Sequence, residues 1–584
     1  MQKIKWVQVL ILLLCLSADL VVIAQNATND VGRFSGDLQF NAKLYVTDTL
    51  LGANIGANST PFYDYLKSSS DAWLRLNYNK GDFGMGIRFD MYNNSDIFTG
   101  GLTEVNGLGI GNWYIRQKIQ KLTIQGGYIY DQFGSGTTFR AYENRPLAID
   151  NALVGLMGKY ELTNDLTVKV IAGKQKNLPA FVNPDRRFVN VYEPFIKGAS
   201  LEGFFSFNKE AKEEGGKGLN MSFVPGISFV NRTLDIASVE LLAGQINKQD
   251  EPFYPLFNTN AFSIYNTLNI GNVNVYLEYA GKSDDTMTDP FKPVNRFFRD
   301  KGRVLFGSVS YSQKGFGVTV QAKRTKNFEF RTTPLQTMNQ GLINFLAPQT
   351  RQNSLRLLAR YNSNTQLLDE MSHQVDLTYS PSKKVTFHFN WSDVRNTDDG
   401  TPVYDFFGDE KILFRELYLD AKIKLPNRNK LLVGIQMVDY NQRVFETKPA
   451  GTDNVNTFTP FAEFTWKIDR KKSIRVETQY MLTKRNYVLF GKDDPYPDKE
   501  QDLGDWLYGL VEYNVAPKYS ISVSDMYNVP SKVHYYDFSA SYTNKTNRFA
   551  LGFVRQVQGI ICTGGVCRFE NAFSGVKFNL TSSF

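Results

Sequence analysis

The sequence predicts an all-β fold: one transmembrane antiparallel up-and-down β-barrel of about 24 strands, with roughly 20 to 26 compatible with the pattern. Three observations predict it. Apolar and polar residues alternate with a period of two along the chain, tight turns alternate with long polar loops, and the last residues form an alternating apolar run ending on Phe584. The period matters because successive side chains of a strand point to opposite faces. It runs through Leu38, Phe40, Ala42 and Leu44, then Leu74, Leu76 and Tyr78, then Met85, Ile87 and Phe89. It continues in Val273, Val275, Leu277 and Tyr279, in Val385, Phe387, Phe389 and Trp391, and in Tyr519, Ile521 and Val523. The opposite parity is mostly Asn, Gln, Ser, Thr, Gly and charged residues.

Such alternation also suits one face of a soluble sandwich, so the connections decide. Tight turns fall near 80, 120, 164, 271, 313, 382, 427, 470, 517 and 545. Longer polar loops lie between them, at 50–69, 93–107, 131–151, 282–301, 395–414 and 484–503. Strict alternation of the two is the habit of a membrane barrel, with short periplasmic turns and long extracellular loops. Two stretches fit no strand cleanly. Residues 226–259 suit another hairpin or a short helix around 234–246, and residues 326–371 suit a lumen segment or an extra strand pair.

Both ends of the chain carry signals. Val576, Phe578, Leu580 and Phe584 share one parity, interrupted only by Ser582. This run resembles the signal by which barrel-assembly machinery recognises its clients, and such a strand pairs with the first strand so that no backbone edge meets hydrocarbon. Residues 1–24 read as a signal peptide: Lys3 and Lys5, an apolar stretch over Val9–Leu16, and a small-residue cleavage site before Gln25. Residues 25–584 then form one barrel domain with both termini periplasmic, which requires an even strand number. Cys15 would leave with the leader, so Cys562 and Cys567 remain, four residues apart around Thr563-Gly564-Gly565. In an exported chain that spacing reads as a disulfide across an exposed extracellular hairpin tip.

Composition excludes several classes. Apolar residues make up 42% and mean hydropathy is −0.32, and no apolar run beyond the N-terminus is long enough for a membrane helix. The 66 basic and 58 acidic residues, a net +8, are interleaved without a basic block, which argues against a nucleic-acid partner. Catalytic motifs are missing as well. The three histidines, His373, His388 and His534, are scattered, and Gly107–Gly111 lacks the spacing and setting of a phosphate-binding loop. Asp493, Asp494, Asp498, Glu500 and Asp502 are read as a solvated acidic loop rather than a calcium site, because the spacing matches no EF-hand and Pro495 and Pro497 interrupt it. Neither an enzyme, a cofactor nor a metal site is expected.

One loop differs from the rest. Tyr130 to Asn151 mixes glycines, aromatics and paired charges, a composition suited to a segment folded into the lumen, where Arg140 and Arg145 pair with Glu143 and Asp150. An ordinary external loop is the other reading. Within it, Gln132-Phe133-Gly134-Ser135-Gly136, Arg140-Ala141-Tyr142-Glu143, Arg145 and Ile149-Asp150-Asn151 resemble a recurring segment of uncharacterised outer-membrane β-barrels of the Bacteroidota. The Ala24-Gln25 junction is also similar to that phylum's usage. The resemblance is specific over about 20 residues and general over the barrel, and it implies fold and location rather than mechanism.

The expected function is therefore a porin-like channel for passive passage of small polar solutes, its loop charges governing what passes. The alternative is a non-transporting structural or accessory subunit of an envelope assembly. A plugged, energised transporter is disfavoured, since about eight residues separate Gln25 from the first strand at Arg33. The expected partners are outer-membrane lipid and lipopolysaccharide, the barrel-assembly machinery, and, for the alternative, other envelope proteins.

Overall fold

The computed structural model describes residues 32–584 apart from 52–65, 96–104, 177–193, 210–218, 398–410, 484–502 and short gaps at 148, 293, 337–339, 447, 450–451, 453 and 564–565. The signal peptide and the acidic loop at 491–502 thus lie outside the described residues. Among those described, 24 strands form one sheet. The first seven are β1 (Arg33–Tyr45), β2 (Ser68–Lys80), β3 (Phe83–Ser95), β4 (Val105–Ile119), β5 (Leu122–Ile129), β6 (Leu153–Glu161) and β7 (Leu166–Gln175). The strand β8 runs over Phe195–Gly203 and Phe205–Lys209, broken at Phe204, and both pieces keep one register on β9 (Leu219–Thr233). There follow β10 (Asn258–Ile270), β11 (Val273–Thr288), β12 (Phe297–Gln313), β13 (Phe316–Lys326), β14 (Asp369–Tyr379), β15 (Val385–Asn396) and β16 (Lys411–Lys424). The last eight are β17 (Lys430–Tyr440), β18 (Val455–Lys467), β19 (Lys472–Met481), β20 (Trp506–Val515), β21 (Tyr519–Asn528), β22 (Val533–Asn544), β23 (Asn547–Gln556) and β24 (Phe573–Ser583).

Each strand pairs antiparallel with the next, and β24 returns to β1, with Phe40 opposite Leu580 and Ala42 opposite Phe578. Reciprocal bonds between the backbones of Gly36 and Phe584, 2.8 and 3.0 Å, complete the seam. The apolar C-terminal run therefore has a partner on both edges, and the ring presents no open edge.

Side-chain alternation assigns the two walls. In β3, Met85 and Phe89 are 42% and 39% exposed, whereas Arg88 and Asp90 between and beside them are 1% and 0% exposed. In β21, Tyr519, Ile521 and Val523 are exposed while Ser520, Ser522 and Ser524 share the other face. Apolar outside and polar inside is the pattern of a barrel whose outer wall contacts lipid.

The two stretches that fitted no strand resolve differently. Residues 219–233 and 258–270 are wall strands, and between them lies the helix α1 (Ile236–Ile246). Asp235 caps it by accepting from the Ser238 amide at 2.9 Å, and its Val239, Leu242 and Ile246 stripe is buried, with Leu242 and Ile246 packed on Phe297. Among the described residues of 327–368 there is one isolated bridge, Arg331 with Leu342, and no strand pair; the segment lies inside the ring.

Candidate functional site in the lumen

Two segments enter the ring from the end that carries the long loops. The first, residues 130–152, connects β5 to β6. Phe133, Phe139 and Ala141 pack on Ile171, Ile196, Val230 and Ala261 of the wall, together with Phe330 and Ile343 of the second segment. A glycine pair makes this docking possible. Gly134 has φ +52°, and a Cβ there would lie 2.8 Å from the ring of Tyr265; Gly136 has φ +95°. Between them Ser135 donates to buried Glu278, which also accepts from the Tyr276 hydroxyl at 2.7 Å. The Gly-Ser-Gly run is thus a latch onto β11.

The charged half of the segment meets β1–β3. Arg88 of β3, its side chain 2% exposed, binds Asp90 at 2.6 and 2.8 Å, Glu143, and Asp150 at 3.2 Å. Glu143 is also 3.2 Å from Arg75 of β2 and 3.3 Å from Arg145. Arg145 reaches Gln39 of β1 at 3.2 Å and sits over the Trp73 ring. Asp150 accepts from Lys176 at 2.7 Å and from the Tyr130 hydroxyl at 2.9 Å. Burial alone would raise the Asp150 pKa, but Lys176 and Arg88 more than reverse this and hold it below the usual carboxylate range. Burial, with the charges of Asp150 and Glu143, pushes the Tyr130 phenol well above its ordinary value.

Glu143, Arg145 and Asp150 therefore come together, but in a cluster centred on Arg88 of the wall. Arg140 does not join them. Its guanidinium stacks 4.5 Å from the Tyr142 ring centroid and 4.2 Å from that of Phe345, exchanging the expected carboxylate for two aromatic faces. Cys562 and Cys567 face one another in register within a small hairpin, Gly559–Thr563 with Val566–Glu570. That hairpin leans against Arg145–Leu147 of the first inward segment rather than projecting freely.

The second segment, residues 327–368, connects β13 to β14. On one side the Leu342 carbonyl accepts from Gln175 of β7 at 2.6 Å and the Arg331 carbonyl from Arg232 of β9 at 2.8 Å. Near its own origin the Ala347 carbonyl accepts from Lys323 at 2.6 Å. On the other side the Leu357 amide donates to Gln479 of β19 at 2.7 Å, and the Leu358 carbonyl accepts from Gln436 of β17 at 3.2 Å. The contacts follow the wall, from Gln175 of β7 and Arg232 of β9 past Lys323 of β13 and Glu416 of β16, which accepts from Asn353 at 2.8 Å, to Gln436 of β17 and Gln479 of β19, so the segment lines the inner face over half of the ring. Leu357 is buried with Val394, Phe414, Val438 and Trp506, anchoring the far end.

Sequence reasoning missed Arg88, Asp90 and Lys176, and it left the second segment open. The signal for the first two was their place on the polar parity of β3. A cavity of about 900 Å³ remains at this level, lined by residues that include Tyr142, Phe298, Arg331, Asn344, Phe345 and Asp369. Among the described residues no cluster of three or more metal-ligating side chains is present. The arrangement offers fixed charges of both signs around a narrowed passage.

A family model, that of a family of unknown function, matches the chain over residues 1–584. None of the curated proteins matches it. Among solved structures it is similar to the siderophore receptor PirA from Pseudomonas aeruginosa, at 8% identity and TM-score 0.40, covering 96% of this chain and 82% of that one. It is also similar to the P pilus usher PapC translocation pore, at 7% identity and TM-score 0.36, covering 94% and 99%. The OccK3 (OpdO) protein of Pseudomonas aeruginosa matches at 10% identity and TM-score 0.32, covering 77% and 94%. Likeness at this level says nothing about what this chain carries.

Proposed function

The chain belongs to DUF6029, a family of unknown function, and from the lumen just described we propose that this outer-membrane-type barrel is a channel of restricted bore for passive passage of small polar solutes. One observation supports the reading above the others: a segment bonded to the wall from β7 round to β19 lines half of an otherwise wide, polar-lined interior. A barrel this large encloses far more space than side chains fill, and a fixed inner lining narrows the opening. In this reading the short turns and both termini face the periplasm, and the outer wall contacts outer-membrane lipid and lipopolysaccharide.

Reconstitution of the detergent-purified protein into planar bilayers tests it. The expected result is stepwise current of small unit size, rising when docking of the lining segment is loosened by Lys323→Ala combined with Gln479→Ala. A barrel that stays silent in both forms, yet co-purifies with other envelope proteins, would replace the channel with an accessory-subunit role.

A further inference from the structure

Several buried lumen cations of this barrel are neutralised on contact. Arg88, Arg145, Lys176, Arg232, Lys282, Lys323 and Arg324 each lie within ion-pair distance of a carboxylate. Arg356 and Arg360, on the far part of the lumen-lining segment, are not. Neither has a carboxylate partner among the described residues. A turn closed by the Ala359 amide on the Leu355 carbonyl at 3.0 Å places the two arginines four residues apart on one side, while Leu357 and Leu358 anchor the turn to the wall.

Arg360 lies over the Trp506 ring, 4.2 Å from its centroid, and its Nε is buried without an acceptor. Arg356 keeps an exposed side chain, although the barrel surrounds it. Burial inside the ring lowers its pKa, Arg360 adds to that, and Tyr508, Glu570 and Asp537 only partly oppose it. Glu570 and Asp537 act on Arg356 through space, without an ion pair to it among the described residues, and hydrogen-bond instead with Gln556 and Ser539. A guanidinium that is enclosed, wet and unpaired is a site waiting for an anion, and its planar fork matches carboxylate and phosphate.

We infer that Arg356, with Arg360 beside it, forms an anion-selecting site on the lumen-lining segment, favouring passage of small solutes that carry a carboxylate or phosphate. This rests on the channel reading. In the first inward segment Glu143, Arg145 and Asp150 cancel at contact within the Arg88 cluster, and Arg140 is stacked on the Tyr142 and Phe345 rings. Confined charge at a constriction acts on passing ions with little screening.

The test is ion selectivity of the full-length protein in planar bilayers under a KCl gradient, with inorganic phosphate as the probe anion. Wild type should pass chloride in preference to potassium, and phosphate should reduce the chloride current. Arg356→Gln should lower the chloride-to-potassium permeability ratio by about twofold or more and relieve the phosphate effect, Arg356→Glu should invert the preference, and Arg356→Lys should retain it. Heat-modifiable mobility on gels confirms folding, and should Arg356→Glu not fold, Arg356→Gln decides. Currents whose selectivity and phosphate response ignore Arg356→Gln overturn this inference and leave the channel standing. A wild type that passes no current overturns the channel and this inference together.

Discussion

Arg88 holds Asp90, Glu143 and Asp150 around one guanidinium that is almost wholly buried. Removing a partner from a buried charge cluster leaves uncompensated charge, which costs about 3–5 kcal/mol. Arg88→Ala should therefore lower the unfolding free energy by that amount, read by urea titration in detergent. The Arg88→Ala/Glu143→Ala cycle should show coupling of about 1 kcal/mol or more, and additive losses would mean that the two act independently. Asp150 gives a pH prediction. Its folded pKa is depressed, so its stabilisation is fully present above the unfolded carboxylate value of about 3.9 and is lost as pH falls through the lower folded value. Docking of the first inward segment, followed by protease protection, should persist to below the ordinary carboxylate range. Lys176→Met, which removes the leading favourable charge, should move the loss to higher pH; an unmoved midpoint would exclude Asp150 as the acid-sensitive group.

At the scale of elements, both inward segments are fastened by apolar seams as well as by charge. Phe330 and Ile343 are fully buried in the seam that joins the two segments. Phe330→Ala should cost about 3–5 kcal/mol and should expose the Arg331–Ile343 stretch to protease before the wall unfolds; simultaneous loss of wall and segment would make them one cooperative unit. The cysteine hairpin carries its own expectation. Register opposite one another supports a disulfide between Cys562 and Cys567, and the protein should show no free thiol when denatured without reductant. Closing so short a loop adds roughly 2 kcal/mol to the hairpin alone.

Legibility in the sequence follows from what holds each element. Wall strands were readable because lipid on one side and a polar lumen on the other impose a period of two, as in Met85, Ile87 and Phe89 against Arg88 and Asp90. The Gly134-Ser135-Gly136 latch was readable as unusual composition. The lining segment was not readable as such, because its tethers are largely backbone groups: the carbonyls of Arg331, Leu342, Ala347 and Leu358 accept bonds that any residue type could accept. Arg140 was misplaced for a related reason, since spacing cannot tell a carboxylate partner from the faces of Tyr142 and Phe345.

For the whole molecule, closure depends on β24 being paired on both edges, and Phe584 lies beside Gly36 at that seam. If the apolar run also serves as the recognition signal for assembly, Phe584→Ala should reduce the folded fraction recovered from membranes more than it lowers the melting temperature of what does fold. Equal losses would assign it a packing role only.

The segment that lines the wall from β7 to β19 has a mechanical consequence. A thin-walled tube deforms most easily by flattening, and a second layer tethered at many points along one arc stiffens that arc against bending. Lateral pressure from the bilayer should therefore bend this cylinder chiefly along the arc that residues 327–368 do not line, giving a cross-section whose asymmetry is set by that lining rather than by the lipid.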